Sequence, residues 1–401
     1  MTEREFSIGF VLALGRALHR YGTPADRLEE GLRRVCTRLG LEAEVFTTPT
    51  AIIMSFGDAT ELRTRLMRVE GGELDMGKLA KVDALADAVV AHQITAEQGM
   101  RQLEAIIAGP SRFGRAPWTL SHGVVAASLV VFFGGGTSDV ALAGAIGLAL
   151  GLLAQLIQRS TDQTRVFELI GAAIASCAAG IASSFSTTIT PSIVTLAALV
   201  VLLPGLSLTV AVTELATRNL IAGTARLMSA VIVLLELVIG VALGVRVAHA
   251  VVEVHQATPV PQPEYAIWLA LAAASVGVAV FVQAQVRAFG WIIAACVLGY
   301  LATRFGTEWL GGQLGVLVGA FALGVLANLY ARWLDRPAQT VSVPALLLLV
   351  PGGMGFQGMS SLLDRNTLTG VETLFAMFVV ATSIVAGQLV ANAVVPPHRS
   401  L

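Results

Sequence analysis

The chain has 401 residues, of which 55% are hydrophobic and only 13% are charged, and its mean hydropathy is +0.75. This composition excludes an ordinary soluble globular protein and predicts an integral membrane protein. The formal net charge of −1 and the lack of a long basic run argue against nucleic acid as a partner.

Charged residues are concentrated at the N-terminal end of the chain. Residues 1–117 hold 15 of the 26 Lys and Arg residues and 16 of the 27 Asp and Glu residues, which leaves 11 of each for the rest. We therefore expect a small cytoplasmic domain at residues 1–117, followed by a membrane part.

Alternating helical and strand-like periodicities predict that this N-terminal domain is α+β. After a first amphipathic helix, a second is expected to begin with Thr23 as its N-cap and Pro24 in its first turn, and to continue to Gly40. Three strands and two further helices are expected at residues 41–46, 51–56, 62–69, 78–91 and 96–107. Thr95 and Gln98 have the spacing of a capping box before the last helix.

Polar side chains in this domain form one candidate catalytic or metal site. Asp26, Arg27, Glu29 and Glu30 follow one another in the second helix, and His19 precedes them. A solvated helix face would show the same pattern. The six histidines and three cysteines have no zinc-site spacing, and no phosphate-binding loop or nucleophile motif is present. We expect no metal, no cofactor and no enzymatic activity.

Ten apolar segments follow, and each is a candidate membrane-spanning helix. They lie at residues 118–134, 140–157, 167–185, 192–210, 227–247, 266–286, 288–303, 312–330, 341–350 and 371–394. Five fall in a first repeat at 118–247 and five in a second at 266–395, and an external linker at 248–265 joins them. The expected fold is mainly α, a polytopic membrane protein of about ten transmembrane helices.

The membrane part aligns with itself, without gaps, at an offset of 147 residues. The matched residues are Pro204-Gly205, Arg218-Asn219, Gly223 and Gly240, which recur as Pro351-Gly352, Arg365-Asn366, Gly370 and Gly387. Because each copy holds an odd number of crossings, the second copy enters the bilayer from the opposite face. The sequence thus predicts two inverted five-helix repeats, which are typical of secondary transporters.

The distribution of arginine predicts the orientation in the membrane. With the N-terminal domain inside, the cytoplasmic connections carry ten arginines: Arg112, Arg115, Arg159, Arg165, Arg218, Arg226, Arg287, Arg332, Arg336 and Arg399. The external connections carry three: Arg246, Arg304 and Arg365. By the positive-inside rule, both termini are expected in the cytoplasm.

Two apolar segments are interrupted at equivalent positions. The run 341–350 spans only about 15 Å as a helix, against roughly 30 Å of hydrocarbon, before Pro351, Gly352 and Gly353 end it. Pro204 and Gly205 interrupt the other segment. Main-chain groups freed at such breaks have to line a cavity, and their partial charges suit both ends of a zwitterion, although kinks in packed helices are the alternative. Neighbouring polar residues complete the predicted substrate site: Ser207, Thr209, Thr213, Asn219, Gln357 and Asn366.

Acidic residues in the apolar segments are candidates for proton coupling. Glu236 stands mid-segment, where an ionised carboxylate is costly, so it is the first candidate proton carrier. A structural acid bonded to a neighbouring helix would give the same pattern. Glu214 is the second candidate, and like Glu168 it lies nearer a predicted cytoplasmic end, where it would steer solute or face water.

Several motifs along the chain match those of a known family. They are Gly15 to Arg20, Tyr21-Gly22, Arg27 with Glu29, Leu39-Gly40, Thr48-Pro49-Thr50, Pro204-Gly205 and Pro351-Gly352. By these motifs the chain resembles the threonine/serine exporter family over essentially its whole length. The resemblance implies a bacterial inner-membrane exporter of threonine and serine, driven by the proton motive force. Thr23-Pro24 departs from the family pattern. Relatives split over two chains look associated with dicarboxylate export, so membership does not fix the substrate.

The leading prediction is a proton-coupled antiporter in the lipid bilayer that exports threonine and serine. One alternative is an exporter of small organic acids such as C4-dicarboxylates. Another is a membrane-anchored enzyme that acts through His19, Asp26 and Glu29, although an anchor would not need an inverted duplication. The oligomeric state is left open, a homo-oligomer included.

Overall fold

The computed structural model describes residues 3–57, 62–71, 74–157, 166–255 and 257–396. The described chain is mainly helical, with one small antiparallel sheet near the N-terminus. Arg159, Arg165 and Arg399, which entered the orientation argument, lie outside the described residues.

The N-terminal region combines four helices with a three-stranded sheet. The elements are α1 (Glu3–Arg20), α2 (Ala25–Arg38), β1 (Ala43–Thr48), β2 (Ala51–Phe56), β3 (Arg63–Arg68), α3 (Met76–Val90) and α4 (Ala96–Ala108). The strand order is β1-β2-β3, and Ala43 pairs with Phe56 while Ala51 pairs with Arg68. Ile52 and Met54, which alternate with half-buried residues along β2, are fully buried in the core. The predicted strands and helices are present with small shifts at their ends.

The two predicted helix starts in this region have different outcomes. The capping box is confirmed, because Thr95 accepts a hydrogen bond from the Gln98 amide and the Gln98 side chain accepts one from the Thr95 amide. The prediction that Thr23 caps α2 is wrong: Pro24 is the N-cap residue, and its side chain makes no capping bond. A carboxylate from the membrane part, that of Glu214, accepts the Ala25 amide instead, at 3.3 Å.

The rest of the chain forms an apolar helical bundle. Its helices are α5 (Arg115–Phe132), α6 (Thr137–Ile157), α7 (Phe167–Ser183), α8 (Pro191–Leu199), α9 (Gly205–Ala216), α10 (Leu220–Val251), α11 (Glu264–Phe281), α12 (Phe289–Leu310), α13 (Gly315–Leu334), α14 (Gln339–Leu349), α15 (Gly352–Leu363) and α16 (Thr367–Val394). Among the described residues, seven helical stretches are long and apolar enough to cross a bilayer, and the pair α14 and α15 counts as one of them. The chain is therefore a multi-pass membrane protein by length and composition.

The two interrupted segments have matching backbone geometry. Helix α9 begins after Pro204, whose φ and ψ are −80° and 35°, and α15 begins after Pro351, whose angles are −83° and 31°. Shortly after each helix ends, an arginine has positive φ, 68° at Arg218 and 62° at Arg365. Positive φ is uncommon for a residue with a side chain. Because all four residues are related by the 147-residue offset, the sequence match extends to local structure.

The N-terminal region contacts the bundle at several points. The Met76 amide donates to the Val282 carbonyl at 2.9 Å, and the Phe113 amide donates to Gln283 Oε1 at 2.7 Å. Helix α3 also packs on α14, and β1 packs on α10. These contacts cover one end of the bundle, where α10 begins and α11 ends.

Candidate functional site

The two helix breaks cross each other at contact distance. A Cβ atom on Gly205 would lie 2.5 Å from Val350 Cγ2 and 3.1 Å from the Gly352 amide nitrogen. A Cβ atom on Gly352 would lie 3.1 Å from the Gly205 Cα. Only glycine allows backbones to approach this closely, so the glycines let the two breaks touch.

Little room for a solute remains beside the crossing. The adjacent cavity has a volume of only about 50 Å³, and its lining includes Leu203, Leu347 and Val350 together with Gly205 and Gly352. An amino acid needs polar partners for both its charged ends. The breaks are therefore a packing point between two pairs of half-helices, and the space beside them is apolar.

A much larger cavity opens at the end of the bundle away from the N-terminal region, and it is called the outer cavity below. Its volume is about 750 Å³, within the range of roughly 300–1,000 Å³ that ligand pockets have. The far part of α10 lines it, from Val241 to His249, as does Ala257 in the segment after α10. Since α10 has 32 residues and a length of roughly 48 Å, this cavity lies far from the N-terminal region.

The lining of this outer cavity is rich in hydroxyl groups. Its polar lining residues include Ser176, Thr190, Ser192, Thr195, Gln357, Ser360, Ser361, Thr369 and Thr373. The ionisable side chains in the lining are those of His249 and Asp364. Phe133 and Phe356 add aromatic surface. Such a wall suits a small polar solute better than a hydrocarbon-like one.

The start of α8 forms part of the cavity wall. Thr190 is its N-cap and Pro191 its first residue, so the amides of Ser192 and Ile193 have no intrahelical acceptor. Thr190 is 6% exposed, and its hydroxyl has no hydrogen-bond partner among the described residues. Two uncapped amides and an unused hydroxyl thus lie together at the positive end of a helix.

The buried Asp139 side chain holds the start of α8 in place. Its side chain is fully buried, and its two oxygens accept the Thr190 amide at 2.7 Å and the Gly136 amide at 3.0 Å. Asp139 lies in the first turn of α6 and therefore connects α6 to α8. Neither Asp139 nor Thr190 was among the residues predicted from the sequence. An acidic residue near an apolar segment, and a Thr-Pro pair at a helix start, were the available signals.

The cavity also has a negative pole. Helix α15 ends at its wall, where Ser360 and Ser361 are followed by Asp364. The carbonyl groups in the last turn of a helix carry a partial negative charge, and the Asp364 carboxylate adds to it. A helix start and a helix end of opposite polarity therefore line one cavity.

The predicted substrate residues lie in several places. Gln357 is exposed in the cavity wall, and Gly205, Gly352 and Gly353 line the small apolar space. Thr209 is buried and donates to the Gly205 carbonyl at 3.1 Å, while Ser207 is half-buried in the same helix.

The remaining predicted substrate residues are at helix starts. Pro204 and Pro351 are the N-cap residues of α9 and α15, and Asn219 and Asn366 are those of α10 and α16. The breaks are brought together, but these asparagines lie one half-helix away from them.

The two predicted proton-coupling residues have different surroundings. Glu236 is half-buried on α10, within electrostatic range of Glu168 on α7, and lies outside the outer cavity lining. Glu214 is 0% exposed and forms a bidentate ion pair with Arg226. Arg226 Nε donates to Oε2 and Arg226 Nη2 donates to Oε1, both at 3.0 Å. Its contact with Ala25 ties the membrane part to α2.

The polar cluster of the N-terminal region has structural contacts. Glu29 accepts the Thr47 amide at 2.7 Å and the Thr47 hydroxyl at 3.1 Å, which joins α2 to β1. His19 is buried, and burial lowers the pKa of its imidazole. No group of three or more His, Cys, Asp or Glu residues in the described part of the chain is placed to hold a metal ion.

Comparison with family models matches nearly the whole chain. A model described as a threonine/serine exporter matches residues 9–248, and a second model with that description matches residues 266–394. The division falls in the segment between α10 and α11.

Several curated yeast proteins are also similar to the chain. A pheromone-regulated membrane protein 10 from Saccharomyces cerevisiae is 29% identical over 379 residues, which are 90% of this chain and 49% of the relative. The protein of the same name from Eremothecium gossypii is 27% identical over 91% of this chain and 51% of the relative. An uncharacterized protein from Schizosaccharomyces pombe is 28% identical over 87% and 48%.

The chain thus spans about half the length of the curated relatives it matches. No solved structure matches the chain. With family models covering both halves of the bundle, the chain belongs to the threonine/serine exporter family of membrane transporters.

Proposed function

We propose that the protein is a secondary exporter of small polar amino acids, threonine and serine, and that the outer cavity is part of its transport path. The observation that carries this proposal is the hydroxyl-lined cavity of about 750 Å³ in an otherwise apolar bundle, between a helix start and a helix end. A bundle that served only as an anchor would have no use for such a space.

The proposed mechanism is alternating access between two inverted five-helix repeats, with ten crossings in all. Helices α5–α10 form the first repeat and α11–α16 the second, with α8 and α9 together, and α14 and α15 together, making one crossing each. In this arrangement, the N-terminal domain at 1–117 and both termini face the cytoplasm, and the cavity faces outward. The matching angles at Pro204 and Pro351 support two equivalent halves. The relatives named above are yeast proteins, so the bacterial inner membrane stays a prediction of the resemblance.

The proposed coupling ion is the proton, exchanged for solute at Glu236. A carboxylate in the apolar part of α10 is costly to ionise, and the neighbouring Glu168 adds like charge. Glu214 is the weaker candidate, because its oxygens already bind Arg226 and Ala25.

Efflux from proteoliposomes tests the proposal. Vesicles loaded with labelled threonine, serine or succinate are given a pH gradient, and gradient-dependent efflux of the two amino acids is expected. Succinate would bring two negative charges to a wall whose one imidazole is that of His249. Efflux of succinate alone would show that the protein exports organic acids. Efflux of none of the three would contradict the transport proposal.

A pair of bulky substitutions links transport to the cavity. Ser360→Trp fills the outer cavity and is expected to abolish efflux. Thr382→Trp adds the same bulk at an exposed site on α16 outside the cavity lining, and is expected to leave efflux intact. Equal activity of the two variants would show that the solute passes elsewhere.

A further inference from the structure

We propose that the start of α8, in the outer cavity, is a binding site for the carboxylate of the solute, formed by the Thr190 hydroxyl and the amides of Ser192 and Ile193. This inference rests on the proposed function and assigns an orientation to the solute within that cavity. It places the recognition site at an outer helix end, away from the crossing of the two breaks.

The start of α8 has unused hydrogen-bonding capacity. The helix has nine residues, and its first backbone bond runs from the Val194 amide to the Thr190 carbonyl. The amides at Ser192 and Ile193 precede that bond and have no acceptor in the helix. A carboxylate can accept from two adjacent amides at once, and the helix dipole favours its charge.

The Thr190 side chain supports the same site independently. It is 94% buried and lines the cavity, yet its hydroxyl makes no capping bond and has no partner among the described residues. The side-chain oxygen of a Thr N-cap normally accepts a hydrogen bond from an amide of its own helix. A hydroxyl left unpaired at this position is available as a donor to a bound anion.

Asp139 does not occupy the proposed site. Both of its carboxylate oxygens accept protein amides, those of Thr190 and Gly136, so it satisfies the Thr190 main chain and leaves the next two amides free. Its negative charge opposes a bound carboxylate and weakens binding. Weak binding suits a transporter, which has to release its solute.

The negative pole of the cavity completes the orientation. With its carboxylate at the start of α8, a bound amino acid would turn its ammonium group toward the end of α15 and Asp364. The short polar side chain would then lie against Ser360 and Gln357, which are in the same wall. The inferred ligand is therefore a zwitterion whose carboxylate is essential for binding.

Competition against labelled threonine in proteoliposomes containing the full chain tests the site. Serine is expected to compete, whereas serinamide and serinol, which lack the carboxylate, are expected to compete at least about tenfold more weakly. If serinamide competes as well as serine while threonine is transported, the carboxylate site is overturned and the exporter proposal stands. Absence of threonine transport in the unmodified chain would instead overturn the proposed function.

Variants at Thr190 give a second measurement. Thr190→Val removes the hydroxyl at nearly constant shape and is expected to raise the half-saturation constant for threonine roughly three- to tenfold. Thr190→Ser keeps a hydroxyl and is expected to stay within about twofold of the parent. Thr195→Val changes a buried lining position further along α8; it is the matched control and is expected to change the constant less than Thr190→Val. Equal constants for Thr190→Val and the parent would contradict the proposal.

Discussion

The starts of α8 and α14 are related by the internal offset, but their surroundings differ. Around the start of α8, Ser192 is exposed in the outer cavity. Around the start of α14, Gln339 and Thr340 are buried, and α3 of the N-terminal region packs on this helix. One half-helix is open at its outer end, and its counterpart is covered.

The same contrast appears in the side chains that follow each break. Glu214 and Arg226 of the first copy form a buried ion pair that holds Ala25. The residues 147 positions later are Ser361 and Thr373, and both line the outer cavity. The same backbone arrangement therefore closes one end of the bundle and forms a polar cavity at the other. The difference comes from the side chains at equivalent positions.

The largest effect is expected where both copies meet. Gly205→Val would drive its side chain into Val350 and the Gly352 amide, separate the two breaks and cost about 3 kcal/mol or more of stability. Gly353→Ala is the matched control, because its Cβ would have no neighbour closer than 3.9 Å. Thermal unfolding in detergent, together with transport, measures both. A Gly205→Val variant that melts like the parent would show that the breaks do not touch.

The next prediction compares Glu236 with Ser383, the residue at the same position of the second copy. Glu236→Gln cannot carry a proton, so pH-driven efflux of threonine should be lost while exchange of internal for external threonine persists. Ser383→Ala should retain both activities. Unchanged pH-driven efflux in Glu236→Gln would rule out this residue as the coupling site.

The third prediction removes the ion pair of the covered end. Glu214→Gln leaves Arg226 without its carboxylate and weakens the acceptor of the Ala25 amide. Because Glu214 is 0% exposed and Arg226 is 27% exposed, we expect a loss of about 3 kcal/mol, at the low end for buried pairs. Ser361→Ala, the counterpart change, should cost about 0.5 kcal/mol or less.

Thermal unfolding in detergent and limited proteolysis of the N-terminal region provide the measurements for this pair. Equal effects of Glu214→Gln and Ser361→Ala would mean that the ion pair does not hold α2 in place.

The smallest expected effect is a pH dependence of stability, measured between pH 7 and 9, at the end of the bundle that the N-terminal region covers. Burial, with the neighbouring Asp87 and Asp335 carboxylates, raises the pKa of Asp83 on α3 from 3.8 to about 8. The folded state thus holds this proton more tightly than the unfolded chain does. The stability that results is fully present below about pH 4 and is lost as the pH rises through 8.

Asp83→Asn tests this linkage, because an amide stays neutral at every pH. Between pH 7 and 9, the melting temperature of the variant is expected to fall less steeply than that of the parent. His19, whose pKa burial lowers, acts only as the pH falls below 6.5 and does not disturb this window. If the melting temperatures of parent and variant fall equally steeply with pH, the Asp83 carboxyl is not buried in the way described.

Much of this architecture could be predicted from the sequence. The offset between Pro204-Gly205 and Pro351-Gly352 indicated two equivalent breaks, because proline and glycine fix local backbone geometry wherever they occur. The strand at 51–56 followed from its short β-like run, and the Thr95 capping box from a local spacing.

The candidate site was harder to predict because it depends on contacts between distant segments. Nothing local shows that Glu214 accepts the Ala25 amide across 189 positions, or that Asp139 holds Thr190. The contact of the two breaks likewise could not be read from composition, so the sequence placed the solute at the breaks. The outer cavity became visible only once α8, α10 and α15 were packed together.

The hydrogen bond between Ala25 and Glu214 has a consequence for experiments on the working protein. Glu214 belongs to α9, the half-helix whose other end lies at the crossing of the breaks, so a shift of α9 along its axis must stretch or release this bond. Isotope exchange at the Ala25 amide would then report, from the N-terminal region, on movements of α9 relative to α2. A single main-chain proton could serve as a reporter for the transport cycle.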